Sequence, residues 1–511
     1  MGMRRFISPR SVGGFTALRG VVPALARALC VSLLTLCAAS VAAEAPVQLP
    51  SAGADPASMA PNRERLPFAI ADEKRLSEED LADKKEGMFV TGIPDLSFDP
   101  LNGYGIGAEG YLTFNGSRDD PFFAYTPYRR RIEVSAFVTS KLTRKFLVAL
   151  DEPYLLNTKW RLRAEAAYEV NPNQLYFGTT ERSLQKLGRQ LPGSSPFSGR
   201  SVNSYSDYTN RLATVRSGGA GEDALVADNL YNYFTKGEEI LNVSLEHAYW
   251  DGRVRAVGGF EVAIMQIGHD DGKRVKAFNP QTDQSSKVAN GRTRLTEDQE
   301  AGEIHGARGG VVTILQSGLV YDTRDLEPDP SRGIFAEATN ELSTPGLGSA
   351  FTFDKVFLQA KAYYPIFPSF FSKLVLAGRI GAGNTFGPAP FFEYADQWST
   401  EGSIEGLGGF HTLRGYKQSR FMGRTMMFGN IELRYRFYQT KLYGHTLGFM
   451  ALPFFDMGGV WDRPRRINVD NLRYSEGGGL RIAWNQSTIV SLDYAFSEED
   501  QQFFFELNHA F

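Results

Sequence analysis

The chain has 511 residues, of which 42% are hydrophobic, 13% aromatic and 22% charged, with a formal net charge of −3. Outside the first 45 residues there is no run of 18 or more apolar residues, which excludes a bundle of membrane helices. The even charge and plentiful hydrophobes exclude a disordered chain, leaving a large soluble fold or a membrane β-barrel, whose two-faced strands average to near-neutral hydropathy.

Arg4, Arg5, Arg10, Arg19 and Arg27 precede the apolar run Ala28 to Ala43, with no acid before Glu44. The run ends Ser40-Val41-Ala42-Ala43, small residues suited to a signal peptidase, so residues 1–43 read as a secretory signal. Cys30 and Cys37 would leave with it, as would the five arginines, carrying the net charge from −3 to −8. That acidic, cysteine-free remainder speaks against a nucleic-acid surface and against cysteine-based metal sites.

Residues 44–92 read as a tail. Pro46, Pro50, Pro56, Pro61 and Pro67 give linker composition, and Asp72 to Glu86 is dense in both charges. Ser77-Glu78-Glu79-Asp80 resembles a capping box and Gly87 a C-cap, which predicts a short surface helix. Forty-nine residues without a strand pattern are too few for a second core.

From about residue 93 to 511 the hydrophobic period is two. Trp160, Leu162, Ala164, Ala166 and Tyr168 alternate with Arg161, Arg163, Glu165 and Ala167. Val356, Leu358, Ala360, Ala362 and Tyr364 alternate with positions that include Lys355, Gln359 and Lys361. Ile431, Leu433, Tyr435 and Phe437 alternate with Asn430, Glu432, Arg434 and Arg436. One face repeatedly carries full charges and the other ends in aromatics, which is the pattern of a barrel with a wet lumen and aromatic girdles at its lipid face. A large soluble β-sandwich is the competing fold. Roughly sixteen such runs occur, near 103–114, 130–140, 145–153, 158–169, 226–235, 239–250, 253–267, 309–323, 333–343, 351–366, 373–384, 424–438, 445–460, 475–485, 488–496 and 502–511. The fold class is therefore all-β, a sixteen-stranded antiparallel transmembrane barrel of the outer membrane of a Gram-negative bacterium. Parity counted back from Phe511 puts the turns at 485–487, 251–253 and 325–332 in the periplasm and the long 269–308 and 387–423 connections outside. The same parity places the 171–225 insertion in the periplasm, where it does not fit.

Three segments go further. Leu413-Arg414-Gly415-Tyr416, followed by Arg420-Phe421, lies in the 387–423 connection, and Phe454-Phe455-Asp456-Met457-Gly458 lies on a strand about 40 residues later. Tyr321-Asp322-Thr323-Arg324-Asp325 faces Pro330-Ser331-Arg332-Gly333 across a turn. With Phe503, Phe505, Leu507 and Phe511 on one face of the last run, these motifs resemble the bacterial surface antigen barrels, the BamA/TamA-type superfamily of outer-membrane assembly and transport proteins. The resemblance covers about residues 93–511 and is strongest after 308. It implies that the connection bearing Arg414, Gly415 and Tyr416 folds into the lumen and that Arg414 pairs with Asp456. On the residues alone, Gly458 leaves space beside that carboxylate and Gly415 lets the tip turn tightly. Asp493 also matches a family strand pattern and is a second partner for Arg414. Asp322, Arg324, Asp325 and Gly333 are expected to organise a periplasmic turn. Phe505, Leu507 and Phe511 are expected to form the C-terminal signal read by the outer-membrane assembly machinery during insertion.

One departure from the family matters. Members that fold or export proteins carry periplasmic polypeptide-transport-associated (POTRA) domains, and the 49-residue tail cannot hold one, so the chain is similar to a POTRA-less subgroup. The expected partners are outer-membrane lipid, the insertion machinery and a separate periplasmic protein in place of the missing domains; nucleic acid is not among them. Gly103, Gly105, Gly107 and Gly110 thin what reads as the first strand, consistent with a weak first-to-last seam or with a crowded wall. His247, His269, His305, His411, His445 and His509 are scattered, and no nucleophile or phosphate-binding motif occurs, so no enzyme and no cofactor or metal is expected. The leading function is assembly or transport at the outer membrane with the lumen plugged by the Arg414 loop; the alternative is a passive, porin-like solute channel.

Overall fold

The computed structural model describes residues 66–76, 78–99, 101–187, 204–219, 221–327, 329–367, 373–442, 445–484 and 488–511; the signal and residues 44–65 of the tail read from the sequence lie outside them, as do Ser77 and the side chain of Leu507. Sixteen strands form one antiparallel sheet in sequential order. They are β1 (Met88–Asp99), β2 (Gly103–Phe114), β3 (Arg130–Thr139), β4 (Arg144–Glu152), β5 (Trp160–Leu175) and β6 (Tyr233–Tyr249). There follow β7 (Val254–His269), β8 (Gly310–Asp322), β9 (Gly333–Ser343), β10 (Phe353–Pro365) and β11 (Leu374–Phe386). The last are β12 (Thr425–Leu442), β13 (His445–Trp461), β14 (Arg473–Trp484), β15 (Thr488–Phe496) and β16 (Gln501–Leu507). β1 and β16 are the two edge strands of the sheet order. Among the described residues, no helix is long and apolar enough to cross a membrane.

Burial is inverted relative to a water-soluble fold. On β10, Leu358 and Tyr364 are 51% and 70% exposed, whereas Lys355, Gln359 and Lys361 are buried. On β12, Ile431 is exposed while Asn430, Glu432 and Arg434 are buried. An apolar exterior around a charged interior is stable only where the outside solvent is hydrocarbon. Sequential hairpins also satisfy the backbone groups that lipid cannot.

Two differences from the sequence reading offset each other in the strand count. The first strand is β1, from Met88, so the expected tail runs five residues into the barrel. Gly92 and Pro94 hide it: proline removes an N–H, which is tolerated on a terminal strand, and the alternation breaks around both. Conversely, 226–235 is not a barrel strand. Leu225–Ala227 belongs to a separate four-stranded sheet with Arg216–Ser217, Arg274–Asn279 and Gln284–Asn290, and β6 starts only at Tyr233. The corrected parity moves the 176–232 connection outside, with the long 270–309 and 387–424 connections, and removes the misfit. The glycine-rich strand is therefore β2, fully paired on both sides. A Cβ at Gly107 would stand 2.5 Å from the Ala136 carbonyl oxygen, so that glycine serves a crowded wall.

Residues 66–87 are not a free tail. They include the short helix α1 (Glu78–Asp83) and pack on the periplasmic end of the barrel, with Ile70, Ala71, Leu76 and Lys84 buried.

Candidate functional site

The 387–424 connection leaves β11 and descends into the lumen along β9 and β10. Polar side chains two residues apart on those strands point inward at successive levels and meet it in turn. Lys355 contacts Glu393 at 2.7 Å and Asp396 at 3.3 Å, as well as Glu341 of β9 at 2.9 Å. One level down, Thr339 donates to the Trp398 carbonyl at 2.8 Å. Next, the Thr400 amide and hydroxyl donate to Glu337 at 3.0 and 2.6 Å. Lowest, Lys361 pairs with Glu401 at 2.6 Å, and Arg324 in the turn between β8 and β9 also reaches Glu401. The loop thus extends from its outer origin to the periplasmic turn.

The returning limb carries the motif that includes Arg414. Its guanidinium is 0% exposed and sits among three carboxylates from three strands. Nε and Nη2 donate to Asp456 of β13 at 3.0 and 2.8 Å, a bidentate fork completed by the Arg414 amide at 3.2 Å. Nη1 donates to Glu432 of β12 at 2.6 Å and to Asp493 of β15 at 3.0 Å. The face of the guanidinium lies 3.4 Å from the centre of the Phe454 ring. The charges balance locally, because Arg434 pairs with Glu432 at 2.8 Å and Arg481 grips Asp493 with both terminal nitrogens. Asn430 Nδ2 bridges Asp456 and the Thr412 carbonyl at 2.8 and 2.7 Å, tying strand to loop.

Both motif glycines are required by close approach. A Cβ at Gly458 would stand 3.0 Å from Leu407 Cδ1 and 3.1 Å from Leu413 Cδ1, so the strand is bared where the loop rests. A Cβ at Gly415 would stand 2.5 Å from the Phe496 carbonyl oxygen. The tip does turn tightly, with the Tyr416 amide donating to the Leu413 carbonyl at 3.1 Å across Arg414-Gly415, but Gly415 does not have a positive φ, and it is small because β15 passes against it. Tyr416 is buried with its ring 5.0 Å from Phe421, in a cluster with Leu407, Leu413, Phe428 and Val460. Arg420 closes the outer end, holding Glu499 at 2.6 and 3.0 Å and the Gln185 carbonyl at 3.0 Å.

In the turn between β8 and β9, Arg324 pairs with the buried Asp322 at 3.1 Å. Asp325 accepts the amides of Leu326 and Ser331 at 3.1 and 3.0 Å. Gly333 has φ +107° and lies against the Thr323 carbonyl. At the C-terminal end, Phe503 and Phe505 face lipid, but Phe511 does not share their face. β16 ends at Leu507, Asn508 takes φ +70°, and the chain turns inward. Phe511 then packs 5.0 Å from Arg379 and 5.1 Å from Arg434, and Arg434 donates to a Phe511 main-chain oxygen at 2.9 Å.

Glu432, Asn430, Arg434 and Arg481 are members of the Arg414 site that motif reading missed. Glu432 was signalled only by its place on the polar face of a strand; nothing singled out Arg481. Among the described residues, no group of three or more His, Cys, Asp or Glu could hold a metal ion. Beside the loop a cavity of about 600 Å³ remains, bordered by Glu133, Glu165 and Glu261 from β3, β5 and β7.

Lipid-facing apolar strands around a charged lumen, with an outer connection folded inside, define an integral outer-membrane β-barrel. Residues 130–511 match the Omp85 superfamily domain, and residues 66–129 match a domain of unknown function, DUF5982. The chain belongs to the Omp85 superfamily of outer-membrane assembly and transport barrels. It is 26% identical over 216 residues to the outer membrane protein assembly factor BamA of Nitratidesulfovibrio vulgaris, a match covering 39% of this chain and 24% of that protein. Among solved structures it is similar to BamA from Haemophilus ducreyi lacking POTRA domains 1–3, with 14% identity, TM-score 0.45, and coverage of 83% of this chain and 70% of that one. It is also similar to CdiB from Escherichia coli, with 10% identity, TM-score 0.47, and coverage of 82% and 62%.

Proposed function

We propose that this barrel inserts or translocates protein or lipid at the outer membrane, and that the 387–424 loop is its internal plug with Arg414 as the lock. The observation that carries the reading is the complete burial of Arg414 against Asp456, Glu432 and Asp493. A loop merely occupying space needs no such charge, whereas a loop that must stay seated and yet leave intact gains from polar rather than hydrophobic anchoring. The site is a mechanical latch, without a role in bond chemistry. In this reading Phe505, Leu507 and Phe511 serve the barrel's own insertion. In the same reading a separate periplasmic protein delivers the substrate.

Current through the purified protein in a planar bilayer tests the plug. The wild type should be nearly closed, and Arg414→Ala or removal of the loop should open it. The charged cavity favours a second reading, a passive solute channel, which large steady currents through the wild type would establish instead. A deletion strain that assembles its other barrels normally and keeps its outer-membrane lipid composition would sink the assembly role.

A further inference from the structure

The plug is anchored at its lowest point by Arg324, and Arg324 is half of a buried pair with Asp322. Asp322 has another partner from outside the barrel: Lys74 of the N-terminal segment, whose Nζ lies 3.1 Å from Oδ2. The segment reaches this point by crossing the periplasmic end of the first nine strands. The Gly87 amide donates to Gly116 and the Leu76 amide to Ala124, both after β2, at 2.8 Å. The Phe68 ring stands 5.7 Å from Tyr154, after β4. The Ala71 amide donates to Asp251, after β6, at 2.8 Å. It therefore touches the periplasmic turns after β2, β4, β6 and β8. From the opposite side, the inward-turned C-terminal end reaches the same β8–β9 turn, where His509 lies 3.2 Å from Asp329.

We infer that residues 66–87 are a strap closing the periplasmic mouth, and that the relay Lys74–Asp322–Arg324–Glu401 couples the strap to the plug. Lys74 is the latch. Pulled away from Asp322, it leaves that carboxylate to Arg324 and Arg255, and the shift of Arg324 toward it loosens the hold on Glu401. Conversely, a plug that withdraws takes Glu401 from Arg324 and weakens the seat of the strap. A periplasmic protein that engaged the strap would thereby reach the lumen without entering it. The inference extends the plug reading to the other end of the barrel, and its test needs no transport assay and leaves Arg414 intact.

The experiment uses full-length protein in lipid nanodiscs with Cys30 and Cys37 replaced by serine and one cysteine placed in the plug, Ser403→Cys, beside the cavity. Its rate of reaction with a charged maleimide reports access to the lumen, and tryptic cleavage after Arg75 reports release of the strap. The heat-modifiable mobility of the barrel on gels confirms folding. Lys74→Glu should accelerate both by tenfold or more, and Lys74→Arg should leave both near the parent. Glu401→Gln should accelerate cleavage after Arg75. Rapid cleavage in Lys74→Glu with unchanged labelling would show that the strap closes nothing. Unchanged cleavage would remove Lys74 as the latch, and a seated strap in Glu401→Gln would break the coupling.

Discussion

At position 414 the protein needs a guanidinium rather than an ammonium. Four hydrogen bonds leave the side chain in fixed directions toward three carboxylates while its face rests on Phe454. A lysine keeps the charge but has no planar fork and no stacking face. Arg414→Ala should cost on the order of 3–5 kcal/mol, since the buried Asp456 loses its cation and keeps only neutral partners, the residue-414 amide, Asn430 and Ser475. Arg414→Lys should recover part of this, and denaturant unfolding from lipid vesicles measures both. Two glycines give a graded pair. Gly415→Ala drives a methyl to 2.5 Å from the Phe496 carbonyl oxygen, whereas Gly458→Ala meets the Met427 carbonyl oxygen and two leucine methyls at 3.0–3.1 Å, contacts that a small shift relieves. Proteolysis of the loop should therefore rise sharply in Gly415→Ala and modestly in Gly458→Ala; equal rates would contradict the backbone argument.

Among elements, the loop and the N-terminal segment are each held by polar and apolar contacts together. The plug's first limb is registered level by level against inward polar residues of β9 and β10, so a mismatch at one level should propagate. Glu337→Ala leaves the Thr400 amide and hydroxyl without their acceptor, and it should loosen the limb by about 1–3 kcal/mol. Hydrogen exchange of residues 393–401 reads this. The strap is held by buried apolar groups and by Lys84, whose ammonium donates to the Phe123 and Thr126 carbonyls at 2.6 Å each. Burial pushes Lys84 down from its ordinary 10.5 to about 7, with Asp120 opposing and Arg129 reinforcing the shift. A released strap regains the ordinary value and so binds more protons than the seated one between pH 7 and 10.5. Seating is then firmest above that window and weakens as pH falls through it. A spin label at Arg75→Cys should grow more mobile from pH 10 to pH 7, and Lys84→Met should flatten that dependence.

For the whole molecule, the apolar exterior and ionic interior are consequences of one period-two pattern met by two solvents. That pattern was legible: Leu358 and Ile431 face out, Lys355 and Glu432 in, as their alternation implied. It failed where local chemistry broke the period. β1 hides behind Gly92 and Pro94, and the segment near Leu225–Ala227 reads like a barrel strand because its side chains pack in a small outer sheet. The candidate site was legible as residue types, since Arg414, Asp456 and Asp493 are marked by motif. The resemblance also implied that they meet, although Asp456 and Asp493 lie 42 and 79 positions from Arg414; what it did not imply is Glu432, 18 positions away.

By itself the sequence determined the barrel, its class and the motif residues Arg414, Asp456 and Asp493, because strand periodicity and a few motif spacings are local properties. Only the tertiary structure decided that Glu432 joins Asp456 and Asp493 around Arg414, that Phe511 turns inside and that the N-terminal segment packs on the periplasmic turns. Those contacts are set by where sixteen strands bring distant residues to one level of the lumen, and by which buried charges then require a partner.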